Sequence, residues 1–271
     1  MGKKEKHRQD LDSLIEAAVE AGRADPLTSY LVANSNLPGR RANLELAAAF
    51  GDSVEARING ENESLWQLCS GLTRISADEA PVNSPREFLP FCGTIGMGAI
   101  GAISAEFYDK ALTDLRFLAN DPRWRMREAV RFGLQRLLAE RPEDTLRRLE
   151  EWATPGSPLE MRAAAASVAE PSILENEEIA VASLHLHDRI FGLILGWAGR
   201  KSETFGVLRK GLGYTLSVVV AAIPEEGFEF MERLVASRDP DVLWIVKQNL
   251  KKRRLAGKHP DAVDAIQQLL D

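Results

Sequence analysis

Cysteine is almost missing from this chain: Cys69 and Cys92 are the only two among 271 residues. That excludes a disulfide framework or a cysteine zinc site and leaves two reduced thiols, as expected of a cytoplasmic protein. Histidine is nearly as scarce, at four. His185 and His187 lie two residues apart, which on a helix turns their rings about 200° from each other, unlike the i, i+4 pair that shares a zinc, so no metal is expected. Long apolar runs are lacking too. The longest, around 190–198 and 216–223, fall short of the roughly 18 residues of a membrane span, and no membrane association is expected. The charged start, Met1-Gly2-Lys3-Lys4-Glu5-Lys6-His7-Arg8, lacks the apolar stretch of a signal peptide. There is no P-loop, no G-x-S-x-G elbow and no cysteine with a nearby histidine, so acyl and phosphoryl transfer have no sequence support. Runs of β-branched residues are absent except for Ser217-Val218-Val219-Val220, which has no partner run and is better read as buried helix.

What the chain has is helical punctuation. Asp25-Pro26, Ser84-Pro85, Asp121-Pro122, Ser157-Pro158 and Asp239-Pro240 each set a capping side chain before a proline that the first helical turn tolerates. Ser84 with Glu87 and Ser157 with Glu160 add the reciprocal glutamate of a capping box. Periodic apolar segments recur from 10–22 to 260–270, among them 85–92, 104–119, 123–139, 176–186, 188–198, 203–222 and 241–255, and nearly all read as helix. A basic flexible tail is expected at 1–9 and a less regular helical part at 10–76. Loops at 59–64 and 77–84 follow, and then a repeat-bearing region at 85–271 continuous with the rest.

A short cassette gives that last region its character. Met126-Arg127-Glu128-Ala129-Val130, Met161-Arg162-Ala163-Ala164-Ala165, Val207-Leu208-Arg209-Lys210-Gly211-Leu212 and Trp244-Ile245-Val246-Lys247-Gln248-Asn249-Leu250 place their basic markers 35, 47 and 38 residues apart. Such spacings belong to stacked helical hairpins. On a helical wheel Arg127 lies at the edge of an apolar sector made by Met126, Val130, Leu134 and Leu137, so its guanidinium should turn to an acidic or carbonyl partner. Arg125, Glu128 and Arg136 point away from that sector and read as ordinary surface charges. In the final copy Trp244, Lys247, Lys251 and Arg254 fall opposite the apolar face, an aromatic followed by a basic stripe. Two readings of the stripe stand: a surface for a phosphate backbone with a ring for stacking, or a tryptophan packed on the next hairpin beside solvated lysines.

Charge agrees with a local role. The total is −6, yet residues 115–148 sum to +4 and 238–258 to +5, separated by −7 over 149–188. A global sum can hide such fields.

The Trp124-Arg125-Met126-Arg127-Glu128-Ala129 segment after Asp121-Pro122, with its echoes, resembles HEAT repeats. That resemblance covers roughly 95–255 and implies an all-α solenoid of stacked antiparallel helix pairs, its second helices lining a concave face for a protein or duplex DNA. The tryptophan-plus-basic cassettes also resemble, by residue type only, the DNA alkylation repeat glycosylases. The likeness implies Asp121 as the residue that stabilises charge on the sugar, Trp124 and Trp244 against the lesion, and Arg127 and Lys247 beside them. The expectation is a non-catalytic binding or scaffold protein that engages its partner through Trp124, Arg127, Arg131, Trp244, Lys247, Lys251 and Arg254; the alternative is the glycosylase.

Two further patterns stand in the first half of the chain. Gly96-Met97-Gly98-Ala99-Ile100-Gly101 satisfies G-x-G-x-x-G with Asp121 20 residues beyond, but no strand precedes it, so close helix packing or a joint is expected and no cofactor. The polar turn Asn34-Ser35-Asn36-Leu37-Pro38-Gly39-Arg40-Arg41 opens a helix with two arginines; an anion-binding edge and a plain exposed turn both fit.

Overall fold

A computed structural model describes residues 2–58, 62–154 and 156–270. Among these residues every regular element is helical and there is no strand, so the protein is all-α, with 218–220 inside a helix. The chain divides into two compact units, Met1–Glu140 and Arg141–Asp271. The boundary thus falls after Glu140, and the loop at 77–84 lies inside the first unit.

The first unit contains α1 (Lys3–Glu20), α2 (Asp25–Ala33), α3 (Leu44–Glu55), α4 (Asn62–Thr73), a 3-10 turn at Pro85–Glu87, α5 (Phe88–Ile103), α6 (Ala105–Leu118) and α7 (Trp124–Glu140). Of the stretch expected as a basic tail, Met1 lies outside the described residues and Lys3 onward is instead the start of α1, where polar residues find partners: Lys4 pairs with Asp52 at 2.7 Å and His7 Nδ1 meets Tyr30 Oη at 2.8 Å. Of the expected loop at 59–64, residues 59–61 lie outside the described residues, and α4 begins at Asn62.

Helix α5 is the centre of this unit. Each residue from Phe88 to Ala102 is buried, as a helix apolar all round must be, and α3, α4, α6 and α7 pack around it. It runs through the glycine stretch that periodicity left between 85–92 and 104–119. The glycines are its packing surface: a methyl at Gly96 would lie 2.5 Å from Cys69 Sγ, one at Gly101 2.5 Å from Ala111 Cβ, and one at Gly98 would land on the backbone of Gly133 in α7. These glycines therefore seat neighbouring helices, and the dinucleotide pattern has no loop in which to cradle a phosphate. Because backbone cannot yield as a side-chain tip can, Gly98→Ala is expected to cost about 1–3 kcal/mol. Urea unfolding measures it, and an unchanged midpoint would mean that α5 and α7 do not meet at this point. Both cysteines line the same core, where burial pushes the Cys69 thiol up to about 12 and Cys92 well above its ordinary value, which keeps both from forming reactive thiolates.

Polar capping departs from the sequence pattern. Ser157 and Asp239 do cap, accepting from the amide of Glu160 and from those of Asp241 and Val242. Ser84 makes no cap bond, and Glu87, expected to reach back over a helix start, is instead fully buried and takes the Asn83 amide at 2.7 Å and Arg125 at 3.0 Å.

The second unit holds α8 (Pro142–Ala153), α9 (Pro158–Val168), a 3-10 turn at Ile173–Glu175, α10 (Glu177–Leu195), α11 (Glu203–Ala222), α12 (Pro224–Ala236), α13 (Pro240–Leu250), α14 (Arg253–Ala256) and α15 (Pro260–Leu270). The segments read separately at 176–186 and 188–198 form the single helix α10. Helix α11 lies between α9 and α13; α8 packs on α9 and α10, and α12 on α11, α13 and α15. By length and composition α11 is apolar enough to cross a membrane, but 56 % of that stretch is buried inside the protein. Its polar residues serve the core. Thr215 meets His187 Nε2 at 3.0 Å, while Asn249 of α13 accepts from the Ser217 amide at 2.8 Å and donates to the carbonyls of Leu212 and Ile245. His185 is exposed and His187 buried, as their angular separation requires.

The four cassettes fall on alternate helices, α7, α9, α11 and α13, and each packs on the helix before it.

Candidate functional site

In the second unit α13 ends at Leu250. Lys251 closes it, Lys252 is extended, and α14 starts at Arg253. The segment 241–255 is therefore not one helix, and the stripe from Trp244 to Arg254 is broken after Lys247. Trp244 is half-buried: its ring edge faces α11 so closely that a methyl at Gly213 would lie 3.2 Å from it, and the Arg209 guanidinium covers it at 4.2 Å. The ring expected to be open to a ligand is thus largely occupied by its own neighbours, because the wheel of α13 contains no information about α11.

The aromatic that does stand open is Tyr214 of α11, half exposed, which sequence reasoning missed. Arg254 donates to its hydroxyl at 2.9 Å and lies 4.7 Å from its ring centre, with Lys252 at 5.6 Å. Tyr214 lies four residues after the exposed Lys210, on the same arc of α11, which was the available signal. Lys210, Lys247 and Lys251 are exposed, and among the described residues none of them pairs with a carboxylate. The nearby acids are committed elsewhere: Asp241 binds Arg209 at 2.6 Å and Arg200 at 3.0 Å, and Asp239 binds Arg200 at 2.8 Å. Burial pushes the Asp239 carboxyl up, but hydrogen bonds from Arg200 and from the Val242 and Asp241 amides outweigh it and hold the group below its ordinary value. An open cavity of about 560 Å³ in the first unit contrasts with one of about 530 Å³ here, whose walls are Lys252, Arg253, Arg254, Gly257 and Lys258. Charge of one sign with no internal counter-ion attracts an anion.

In the first unit the helix that begins at Trp124 is held from below by two buried arginines. Arg123 chelates Asp121, donating from Nε at 3.0 Å and Nη2 at 2.7 Å, and its Nη1 reaches the carbonyls of Ile75, Ser76 and Ala80. Asp121 is thus engaged through both oxygens and organises a loop. Arg127 donates to the carbonyls of Asp121 and Pro122 at 2.9 and 3.1 Å, the carbonyl partner expected of it. Arg125 and Arg136 correct the surface reading: Arg125 is buried against Glu87, and Arg136 binds Asp52 and Glu55, each at 2.7 Å. Both aim at other elements, which a single-helix projection cannot register. Arg131 pairs with Glu128 at 3.3 Å and stacks on Phe132 at 3.9 Å.

Trp124 itself is exposed and backed by Arg125 at 4.3 Å. It shares a small cavity with Arg131 and with the Arg40-Arg41 turn, so the fold brings together two features that lie more than eighty residues apart in sequence. In the larger cavity, which Asp121 also lines, burial pushes the Asp114 carboxyl up against the opposing charges of Lys110 and Arg74. Trp124 and Trp244 belong to different units. Among the described residues no group of three or more His, Cys, Asp or Glu side chains gathers as metal ligands. No protein-family model, curated protein or solved structure matches the chain.

Proposed function

We propose that the chain is a non-catalytic, HEAT-like repeat protein whose second unit binds an extended polyanion, a nucleic-acid phosphate backbone, across α11, α13 and α14. The observation that carries this reading is the open Tyr214 flanked by Lys252 and Arg254, beside the uncompensated Lys210, Lys247 and Lys251, while Asp239 and Asp241 are consumed by Arg200 and Arg209. Phosphate contacts supply most sequence-independent affinity for DNA, and an aromatic face adds tolerance for any base. The repeat reading draws support from the cassettes on alternate helices and from α11 lying between α9 and α13. A solenoid of that kind gives a long partner a surface to lie along. The glycosylase reading is weaker because it needs a carboxylate free to meet developing positive charge, and Asp121 is held by Arg123.

Duplex DNA binding measured against salt tests the proposal. With about four phosphates neutralised, affinity should drop about 100-fold between about 50 and 200 mM salt. Lys247→Ala combined with Lys251→Ala should flatten that slope by about 2. A salt-independent response removes nucleic acid from consideration and leaves an acidic protein as the partner to seek, and a salt slope that the double variant does not change removes the α11, α13 and α14 surface as the place where it binds.

A further inference from the structure

The Arg40-Arg41 turn and Trp124 meet in the first unit, and neither is explained by the surface on the second. The turn is built rather than loose. Gly39 donates its amide to Asn83 Oδ1 at 2.9 Å and offers its carbonyl to the buried Arg125 at 2.7 Å, while Asn43 accepts from the Leu46 amide to start α3. Arg40 and Arg41 emerge exposed from this anchored turn, and among the described residues neither has a hydrogen-bond or ion-pair partner. They face a cavity of about 160 Å³ whose other walls include Phe91, Trp124 and Phe132. Arg131 and Arg125, also in its wall, are already neutralised by Glu128 and Glu87.

We infer that this pocket binds a mononucleotide unit, with the base against Trp124 and the phosphate on Arg40 and Arg41. The chemistry follows from the two halves. The cavity is smaller than the roughly 300 Å³ at which pockets for whole drug-sized ligands begin, so it takes one flat ring system and leaves the rest at the mouth. Its aromatic walls, with one face of Trp124 already backed by a guanidinium, favour a planar π-system of the kind a base presents. At the mouth two adjacent unneutralised guanidiniums suit a phosphate, which arginine can grip with paired hydrogen bonds. A free nucleotide and the phosphorylated end of a strand share this chemistry. The inference is independent of the polyanion surface on the second unit, whose variants leave this pocket untouched.

Calorimetric titration of the full chain with adenosine 5′-monophosphate, adenosine, inorganic phosphate and phenyl phosphate tests it. The nucleotide should bind saturably at micromolar to low millimolar concentration and at least about tenfold more tightly than adenosine or phosphate alone. Arg40→Ala with Arg41→Ala should weaken it about tenfold, and Trp124→Ala likewise, with Trp124→Phe keeping part of the affinity. All these side chains are exposed, and an unchanged thermal midpoint shows that the variants remain folded. A short 5′-phosphorylated oligonucleotide separates the sources: equal binding favours a strand end, and exclusion of the oligonucleotide favours a free nucleotide. No saturable binding, adenosine binding as well as the nucleotide, phenyl phosphate binding more tightly, or folded arginine variants with parental affinity would each overturn the assignment.

Discussion

Replacing Glu87 by alanine is expected to destabilise the protein by about 3–5 kcal/mol, because it strands a guanidinium in the core. Glu87 is fully buried, and Arg125, 3.0 Å away, is nearly so. Only one carboxylate oxygen is used, by the Asn83 amide and by Arg125; the other has no partner. The pair is thus more a device of arrangement than of net stability. Arg125 ties Gly39 and Asn83 together and backs Trp124, so it fixes the turn that presents Arg40 and Arg41. Removing both charges should hurt less than removing one: Glu87→Leu with Arg125→Met is expected to lie closer to the parent than Glu87→Ala, since a well-packed apolar pair avoids the desolvation cost. Chemical denaturation of the two variants decides the matter. A Glu87→Ala protein within about 1 kcal/mol of the parent would show that the ion pair is not closed in solution.

Acid should weaken the second unit through His187. Burial lowers its ring to about 4, against a smaller opposing effect of its bond to the Ser183 carbonyl. In the unfolded chain the ring titrates near 6.5, so between those two values the unfolded state takes up a proton that the folded state refuses. The folded state therefore keeps its full advantage above pH 6.5 and loses about 3 kcal/mol as pH falls to about 4, below which this group adds no further slope. Thermal unfolding of the parent and of His187→Gln across that window isolates the effect. The variant should be less sensitive to pH, even if losing the Thr215 contact makes it less stable at neutrality. Parallel curves for the two proteins would mean that His187 reaches water.

Much of the helical layout was legible because it rests on local rules. Segments 203–222 and 260–270 coincide closely with α11 and α15, and the apolar sector that the wheel of α7 predicts, Met126, Val130, Leu134 and Leu137, is buried. The glycine stretch in α5 was not legible as helix, since its stability comes from close approach by α4, α6 and α7 and owes little to propensity. The break after Leu250 has no proline or glycine to announce it, and the run of Lys251, Lys252, Arg253 and Arg254 looked like continuous helix surface. The candidate sites were legible in kind and misplaced in detail. Arg127 behaves as a lone helix predicts because its partners are its own preceding carbonyls. Arg125, Trp244 and Asp121 do not, because their environments are made by Glu87, Arg209 and Arg123. Tyr214 was overlooked because a tyrosine in an apolar run looks like core until its neighbours are known.

One consequence of the unequal burial of the tryptophans is optical. Trp66 and Trp152 are buried, Trp197 and Trp244 are half-buried, and Trp124 alone among the five is exposed, at 44 %. A neutral collisional quencher will therefore act chiefly on Trp124, and that component of the emission will sit at the longest wavelength. The protein carries its own intrinsic probe on the rim of the Arg40-Arg41 cavity, and occupancy there can be followed by light without attaching a label.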